Sequence, residues 1–508
     1  MKKKSSVAIL VLFICGITIP FVIAWFHGQP ANIFNGFLIN QVDGYSYLAK
    51  MEQGQQGNWL FELPFTSEKT SGVFLFAYYI FLGHICKWTG ISILLMFHTA
   101  RIINSIFLAF VLYQFIRQYN PVKSLPIDWV WAITLLGSGM GWLAATAGIM
   151  TSDLWVAEAY PFLASFTNPH FPLSIALMLS VFIFWQKTGL KKYPVSIGCG
   201  LLLAILQPFC DVIILVVFGL DWFMDVIQKK DAKAKTISMV VYSLASLPLM
   251  ILYLYTVQTD PLIKVWNAQN VTASPQLWDL FLSFSPAIIL ASIGIIPVVK
   301  QHQPVSRILW IWAIVGFGIC LIPISLQRRF LIGIYIPMTI LAAVGLNFIM
   351  DNIRQPNKKW IKTGYTVLVI PTNLFLMAVC FLGISSTGDR YYITAAEQQG
   401  LVWLKQNGIK GGVVLSDPIT SLYIPAFTGL KVVYAHPYET PYAKEKLAEV
   451  EACLSGWNRD TCNRVIKEEH VNYIWISQRV KLDGFNALAV SMGKKYSSGQ
   501  VAVYEVEP

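Results

Sequence analysis

Apolar runs of about 20 residues, the length that crosses a bilayer core as a helix, recur along most of this chain. They fall near 7–25, 92–116, 129–149, 172–186, 194–209, 211–227, 236–256, 281–299, 307–326, 330–350 and 363–383, with a further run at 73–86. Hydrocarbon offers no partner for a backbone amide, so such runs are expected to be helices that satisfy their own. Only 13% of the 508 residues are charged, against 55% hydrophobic, too little charge to cover a water-facing surface of this size. The fold class expected is a multi-span α-helical membrane protein. Its net charge of +11 follows lysines and arginines between spans rather than a nucleic-acid footprint, so no nucleic-acid partner is expected. The stretch from Val7 to Trp25 is too long for a signal-peptide core and no small-residue cleavage site follows, which makes it an uncleaved first span.

Lys2, Lys3 and Lys4 place the N-terminus in the cytoplasm and the segment after the first span outside. Arg117 with Lys123, the lysines of 229–235, Lys300 with Arg307, and Arg354 with the lysines of 358–362 fall inside if 73–116 crosses only once. The run 73–86 is then expected to be re-entrant or to lie along the outer interface. About eleven crossings result, giving a transmembrane domain 1–383 with a large first outer loop, 26–72. The loops 150–171, 257–280 and 327–329 and the whole segment 384–508 are also outside.

From about Asp389 the composition becomes that of a soluble domain. EQQGLVWLKQNG reads as a helix ending at Gly408, GGVVLSD, LKVVYAHP, VNYIWIS and QVAVYEVE as strands, and PYAKEKLAEVEACLSG and RDTCNRVIKEEH as helices. The alternation predicts a small extracytoplasmic α/β domain. Cys453 and Cys462 can form a disulfide there or remain free thiols. No glycine-rich phosphate loop joins strand to helix, so nucleotide binding has no support. In HPYETPYAK, His436 and Glu439 are spaced as two metal ligands without a third, or belong to a loop capping the membrane domain.

Candidate site residues gather on the outer side. Asp43 opens a polar loop, Asn40 to Ser71, whose aromatic residues Tyr45, Tyr47, Trp59 and Phe61 suit a membrane interface and whose Gly54 and Gly57 read as a turn. Glu62 and Glu68 follow. The segment TSDLWVAEAYPFLASFTNPHF supplies Asp153, Glu158 and His170. Asp211 sits inside an apolar stretch, where acids are costly and are paired or functional; at a tight outer hairpin it can instead be solvated or cap the next helix. Arg328 and Arg329 break the positive-inside pattern. Bidentate binding of a lipid phosphate, with Lys264 assisting, accounts for them, as does an interior ion pair with one of the acids.

The acid, tyrosine and glycine–tryptophan order of DGYSYLAKMEQGQQGNWL, the span QRRFLIGIYIPMTILAAVGL and the architecture along the chain resemble the GT-C superfamily of membrane glycosyltransferases, bacterial type. The resemblance implies transfer of a sugar from a polyprenyl-phosphate donor to an acceptor (glycan, lipid or protein) at the outer face of the inner membrane. It implies Asp43 as general base, with Asp153 and His170 as further catalytic candidates. Arg328, Arg329, Lys264 and Tyr45 are then expected around the donor phosphate. No cofactor is required. A divalent metal is left open because Gly44, not a second acid, follows Asp43; Glu62 and Glu158 are the candidates to hold one. A polytopic transporter or flippase for a lipid-linked glycan is the alternative from another class. Against it stand the lack of an internal repeat and the gathering of ionisable residues at one face.

Overall fold

The computed structural model describes residues 4–28, 32–121, 125–187, 189–300, 304–351, 355–386, 390–454, 459–480 and 493–506. Lys2, Lys3, Lys123, Arg354 and Asp389 lie outside them. Among the described residues, four helices are long and apolar enough to cross a membrane: Lys4–His27, Ile93–Tyr119, Lys233–Thr259 and Lys358–Ser385. A bent pair, Leu277–Phe284 with Ala287–Lys300, turns by 78° and makes a fifth if it is one span. His170–Trp185, Lys192–Leu206, Ser306–Cys320 and Tyr335–Met350 are shorter apolar helices, and Pro208–Ile227 occupies the run at 211–227.

Two expected runs take other forms. The run 129–149 is not one helix: Ile127–Leu136 stops at Gly137 and a six-residue helix, Gly141–Thr146, follows. The run 73–86 is the 13-residue helix Ala77–Thr89, about 20 Å long at the α-helical rise and shorter than a bilayer core.

Cα packing divides the chain into two compact units. The first comprises Met1–Pro20, His98–Leu252 and Thr272–Leu382, the second Phe21–Phe97, Tyr253–Val271 and Gly383–Pro508. This departs from the 1–383 and 384–508 division read from composition. Residues 32–56 join the C-terminal segment because the two share a sheet and buried polar contacts.

In the first unit, Ala287–Lys300 and Tyr335–Met350 cross at a pair of glycines. A Cβ on Gly294 would lie 2.0 Å from the Leu341 carbonyl oxygen, and one on Gly345 would lie 2.0 Å from that of Leu290. Small residues let helix backbones approach this closely. The same unit buries a charge-balanced network. Arg307 reaches Asp221 at 3.1 Å and Asp225 at 2.6 Å, Lys235 reaches both at 2.5 Å, and the Trp185 indole donates to Asp221. Asp211 is buried too, and accepts a hydrogen bond from the Tyr242 hydroxyl.

The second unit is built on a helix that the sequence disguised. Gln41–Gln56 is α-helical, where a polar loop from Asn40 to Ser71 was expected. Gly54 is inside this helix, not in a turn. It packs on Ala77–Thr89, where a Cβ on Gly54 would lie 2.0 Å from the Ile80 carbonyl oxygen and one on Gly83 2.0 Å from that of Met51. Gly57 caps the helix with φ +108°, a conformation glycine adopts without strain.

Among the described residues, seven strands form two sheets. β1 (Asn32–Phe34) and β2 (Tyr392–Thr394) pair antiparallel. β3 (Val413–Leu415), β4 (Lys431–Val432), β5 (Val471–Ile476), β6 (Gly493–Ser498) and β7 (Val501–Glu505) form a mixed sheet in the order β4-β3-β5-β7-β6. β3 runs parallel to β4 and β5, while β7 runs antiparallel to β5 and β6. The expected strands and helices of this region are present. The sequence reading lacked β6, whose GKKYSS carries no apolar alternation and lies at a sheet edge, where lysines discourage further pairing. It also lacked the helix Pro418–Thr428. Cys453 and Cys462 form a disulfide inside a core with Val413, Leu415, Val450, Val465 and Ile474.

Asp417 caps the helix Pro418–Thr428, accepting from the amides of Ile419 and Thr420 at 3.1 and 3.0 Å. Asp417→Ala is expected to cost about 1 kcal/mol, measurable as a lowered denaturation midpoint of the purified protein.

Candidate active site

The first-turn acid of Gln41–Gln56 is Asp43, a position where a carboxylate is favoured by the helix dipole. From there the helical repeat places Ser46 and Tyr47, then Lys50, along the same side. Asp43 keeps 44% of its side chain exposed, and its Oδ1 lies 3.5 Å from Nε2 of His436. His436 itself is buried.

The loop carrying His436 is tightly held. Thr440 Oγ1 accepts from the His436 amide at 3.2 Å, and the Thr440 amide donates to the His436 carbonyl at 3.0 Å. The imidazole Nδ1 faces the amides of Tyr438 and Glu439, each at 3.1 Å. Because Nδ1 accepts, the proton of the neutral ring belongs on Nε2, facing Asp43. The ring also lies beside Phe65, with centroids 5.7 Å apart.

Behind this pair, Lys50 is completely buried and binds Glu439 at 2.8 and 3.1 Å. Ser46 donates to the same carboxylate at 2.6 Å and accepts from Lys50. The ammonium also stands 4.0 Å from the Phe76 ring centroid, a cation–π distance. Burial alone would raise the Glu439 carboxyl, but the Lys50 ammonium and then His436 outweigh it and hold it below the ordinary carboxylate range. Burial pushes the Lys50 ammonium down, opposed by Glu439. The result is a buried ion pair joining the helix Gln41–Gln56 to the loop 435–440.

The remaining candidates of this unit have other placements. Tyr45, expected at a donor phosphate, is buried, with its ring packed edge-on against Phe37 and Tyr423. Burial raises its hydroxyl well above the ordinary value, so it is a core residue of the helix. Glu62 lies 3.8 Å from Lys431, and the Glu68 carbonyl accepts from the same ammonium. Lys264 is exposed on the helix Pro261–Gln269, which Asp260 caps.

Asp153, Glu158, His170, Arg328 and Arg329 belong to the first unit. Asp153 is buried and accepts from the Gly141 amide at 2.9 Å and the Thr151 hydroxyl at 2.7 Å. A Cβ on Gly141 would lie 2.2 Å from Asp153 Oδ1, so glycine is needed for this approach. Burial raises the Asp153 carboxyl above its ordinary value despite those bonds. Asp279, which sequence reasoning passed over, accepts from the Ser152 amide, the Ser152 hydroxyl and the Ser283 hydroxyl, all at 2.7 Å. Arg328 meets Glu158 at 3.5 Å and stands 4.8 Å from the Trp155 ring centroid, which is the interior ion pair weighed for it. Arg329 lies 5.9 Å from the Phe209 ring centroid. His170 begins the helix His170–Trp185 and is buried, its ring 4.1 Å from that of Phe171.

Among the described residues, no three His, Cys, Asp or Glu side chains converge as a metal site. The His436–Glu439 spacing has a different use: Glu439 is taken up by Lys50 and Ser46, and His436 Nδ1 by backbone amides. Glu62 and Glu158 face cations in separate units.

The sequence matches no family model and no curated protein. Solved structures do match. An archaeal oligosaccharyltransferase, AglB from Archaeoglobus fulgidus in complex with an inhibitory peptide and a dolichol-phosphate, superposes with a TM-score of 0.56 at 11% identity, over 93% of this chain and 69% of that one. ArnT from Cupriavidus metallidurans in the apo state gives a TM-score of 0.51 at 14% identity, over 99% and 98% of the two chains. The chain has the GT-C fold. Its apolar helices, four of them among the described residues long enough to cross a bilayer, support a membrane protein. The arabinofuranosyltransferase AftD from Mycobacteria also matches, at a TM-score of 0.51 and 11% identity, over 98% of this chain but only 40% of AftD.

Proposed function

We propose that the chain is a membrane glycosyltransferase that moves a sugar from a polyprenyl-phosphate donor to an acceptor hydroxyl, with Asp43 as general base. One observation carries this: Asp43 presents a half-exposed carboxylate on a helix turn backed by a buried, hydrogen-bonded framework. The other acid of that framework, Glu439, is consumed by a cation. The fold supports the donor class, since the archaeal oligosaccharyltransferase with this fold was solved with a dolichol-phosphate.

Substitution at an anomeric carbon passes through an oxocarbenium-like state. A carboxylate within hydrogen-bond reach takes the acceptor proton as the new bond forms, and cations favour the departing lipid phosphate. Arg328 and Arg329, assisted by Lys264, are the proposed phosphate ligands, with Glu158 orienting Arg328. The proposed topology has about eleven crossings, a cytoplasmic N-terminus and residues 384–508 outside the plasma membrane. The sugar and acceptor belong to classes an assay must define.

The test is a donor panel. The full-length protein in proteoliposomes receives undecaprenyl-phosphate hexoses and pentoses with labelled sugar, together with cell-envelope acceptor extract. Transfer of label out of the donor lipid is the expected result. Movement of intact donor between leaflets without transfer would favour the flippase instead.

A further inference from the structure

We infer that His436 is a positioning residue for Asp43, and that Lys50 and Glu439 hold it there. The inference deepens the proposed function and rests on Asp43 being its base. The first-turn acid and the glycine cap of the helix Gln41–Gln56 suit its ends without His436.

Three observations converge on this role. His436 is 1% exposed, yet its Nε2 has no hydrogen-bond partner, and the nearest carboxylate oxygen is Asp43 Oδ1 at 3.5 Å. An unsatisfied buried N–H is costly, and this one points toward a half-exposed carboxylate. Two backbone amides occupy Nδ1, which fixes the proton-bearing nitrogen as the one facing Asp43. Finally, the amide that binds Nδ1 from Glu439 belongs to the residue whose side chain is locked by Lys50 and Ser46. Asp43, Ser46 and Lys50 come from one helix. His436 and Glu439 come from one loop, itself tied at Thr440, whose carbonyl accepts from Gln269 at 2.5 Å. The ion pair therefore sets the register between helix and loop, and that register sets the distance from imidazole to carboxylate.

Drawn in from 3.5 Å to hydrogen-bond length, the Nε2–H holds the Asp43 carboxylate in place and favours its ionised form, because a hydrogen bond to the charged form lowers a carboxyl pKa. Apo sites commonly hold such contacts long. The charged and titratable groups that bear on Asp43 include His436 from the loop and Lys50 from its own helix, and Glu439 bears on both of those. Lys50 and Glu439 compensate each other, and His436 brings its Nε2 to within 3.5 Å of the Asp43 carboxylate.

The experiment measures the ionisation of Asp43 without needing a sugar donor. Full-length protein in nanodiscs is treated with a water-soluble carbodiimide and glycine ethyl ester from about pH 3 to 8, a range spanning carboxylate and histidine titration. Mass spectrometry of the Asp43 peptide gives the labelling midpoint. His436→Leu is expected to raise that midpoint by about one pH unit. His436→Gln, which keeps a donor, is expected to restore most of the shift. If His436→Leu fails to fold, as read by its melting curve, His436→Phe removes the donor while keeping a ring beside Phe65. A folded Leu or Phe variant with the wild-type midpoint overturns the inference. So does a Gln variant that shifts as far as the apolar ones. Because labelling requires no turnover, a null result leaves the glycosyltransferase proposal intact, and an inactive protein leaves the His436 test intact.

Discussion

Lys50→Met is expected to destabilise the protein by about 3–5 kcal/mol, the usual cost of leaving one member of a buried ion pair uncompensated. Lys50 is fully buried, and its partner Glu439 retains only 8% exposure, so water cannot replace the lost ammonium. Ser46 still donates to Glu439, but one neutral hydroxyl does not offset a buried negative charge. Chemical denaturation of the reconstituted protein, followed by tryptophan fluorescence, measures the loss. The double substitution Lys50→Met with Glu439→Leu is expected to recover most of it, since apolar replacement of an entire buried pair is often neutral or better. A cost under about 1 kcal/mol for Lys50→Met alone would mean that the pair does not bind helix to loop.

Asp43→Asn is expected to lower kcat for sugar transfer by about 10²–10⁴-fold, the range for removing a general base, with little change in donor KM. The amide keeps the size and the helix position of the carboxylate but cannot take the acceptor proton. A loss confined to kcat marks an interaction made only in the transition state. Asp43→Glu keeps the base but moves it by a methylene, and misplacement of about 1 Å costs on the order of 10²-fold. Both variants should express and melt like wild type, because the Asp43 side chain is 44% exposed.

The membrane class was legible in the sequence because a 20-residue apolar run has few other uses. So were the strands VVL and VNYIWI and the helices around Cys453 and Cys462, where period and composition agree. Gln41–Gln56 was not, because Gly44 and Gly54 inside a polar stretch look like a loop when helix propensity is the guide. Its stability comes from packing: Gly54 meets Gly83, and Lys50 meets Glu439. Once the segment is a helix, Asp43, Ser46 and Lys50 fall on one side by spacing alone. Their partners at 436 and 439 lie almost 400 residues away, and no local pattern connects them. Arg328 stood out in the sequence as a cation between apolar runs, but only the structure supplies Glu158 at 3.5 Å. Tyr45 shows the reverse error. An aromatic residue in an apparent interfacial loop becomes core as soon as the loop is a helix.

The most direct test of the central claim follows donor lipid and sugar together. Wild-type and Asp43→Asn proteins are reconstituted side by side with the polyprenyl-phosphate sugar that the panel selects, labelled in both the sugar and the lipid. The account predicts one free lipid phosphate for each sugar appearing on acceptor with wild type, and almost none of either with Asp43→Asn. Equal rates of stoichiometric transfer by wild type and a folded Asp43→Asn protein would contradict it.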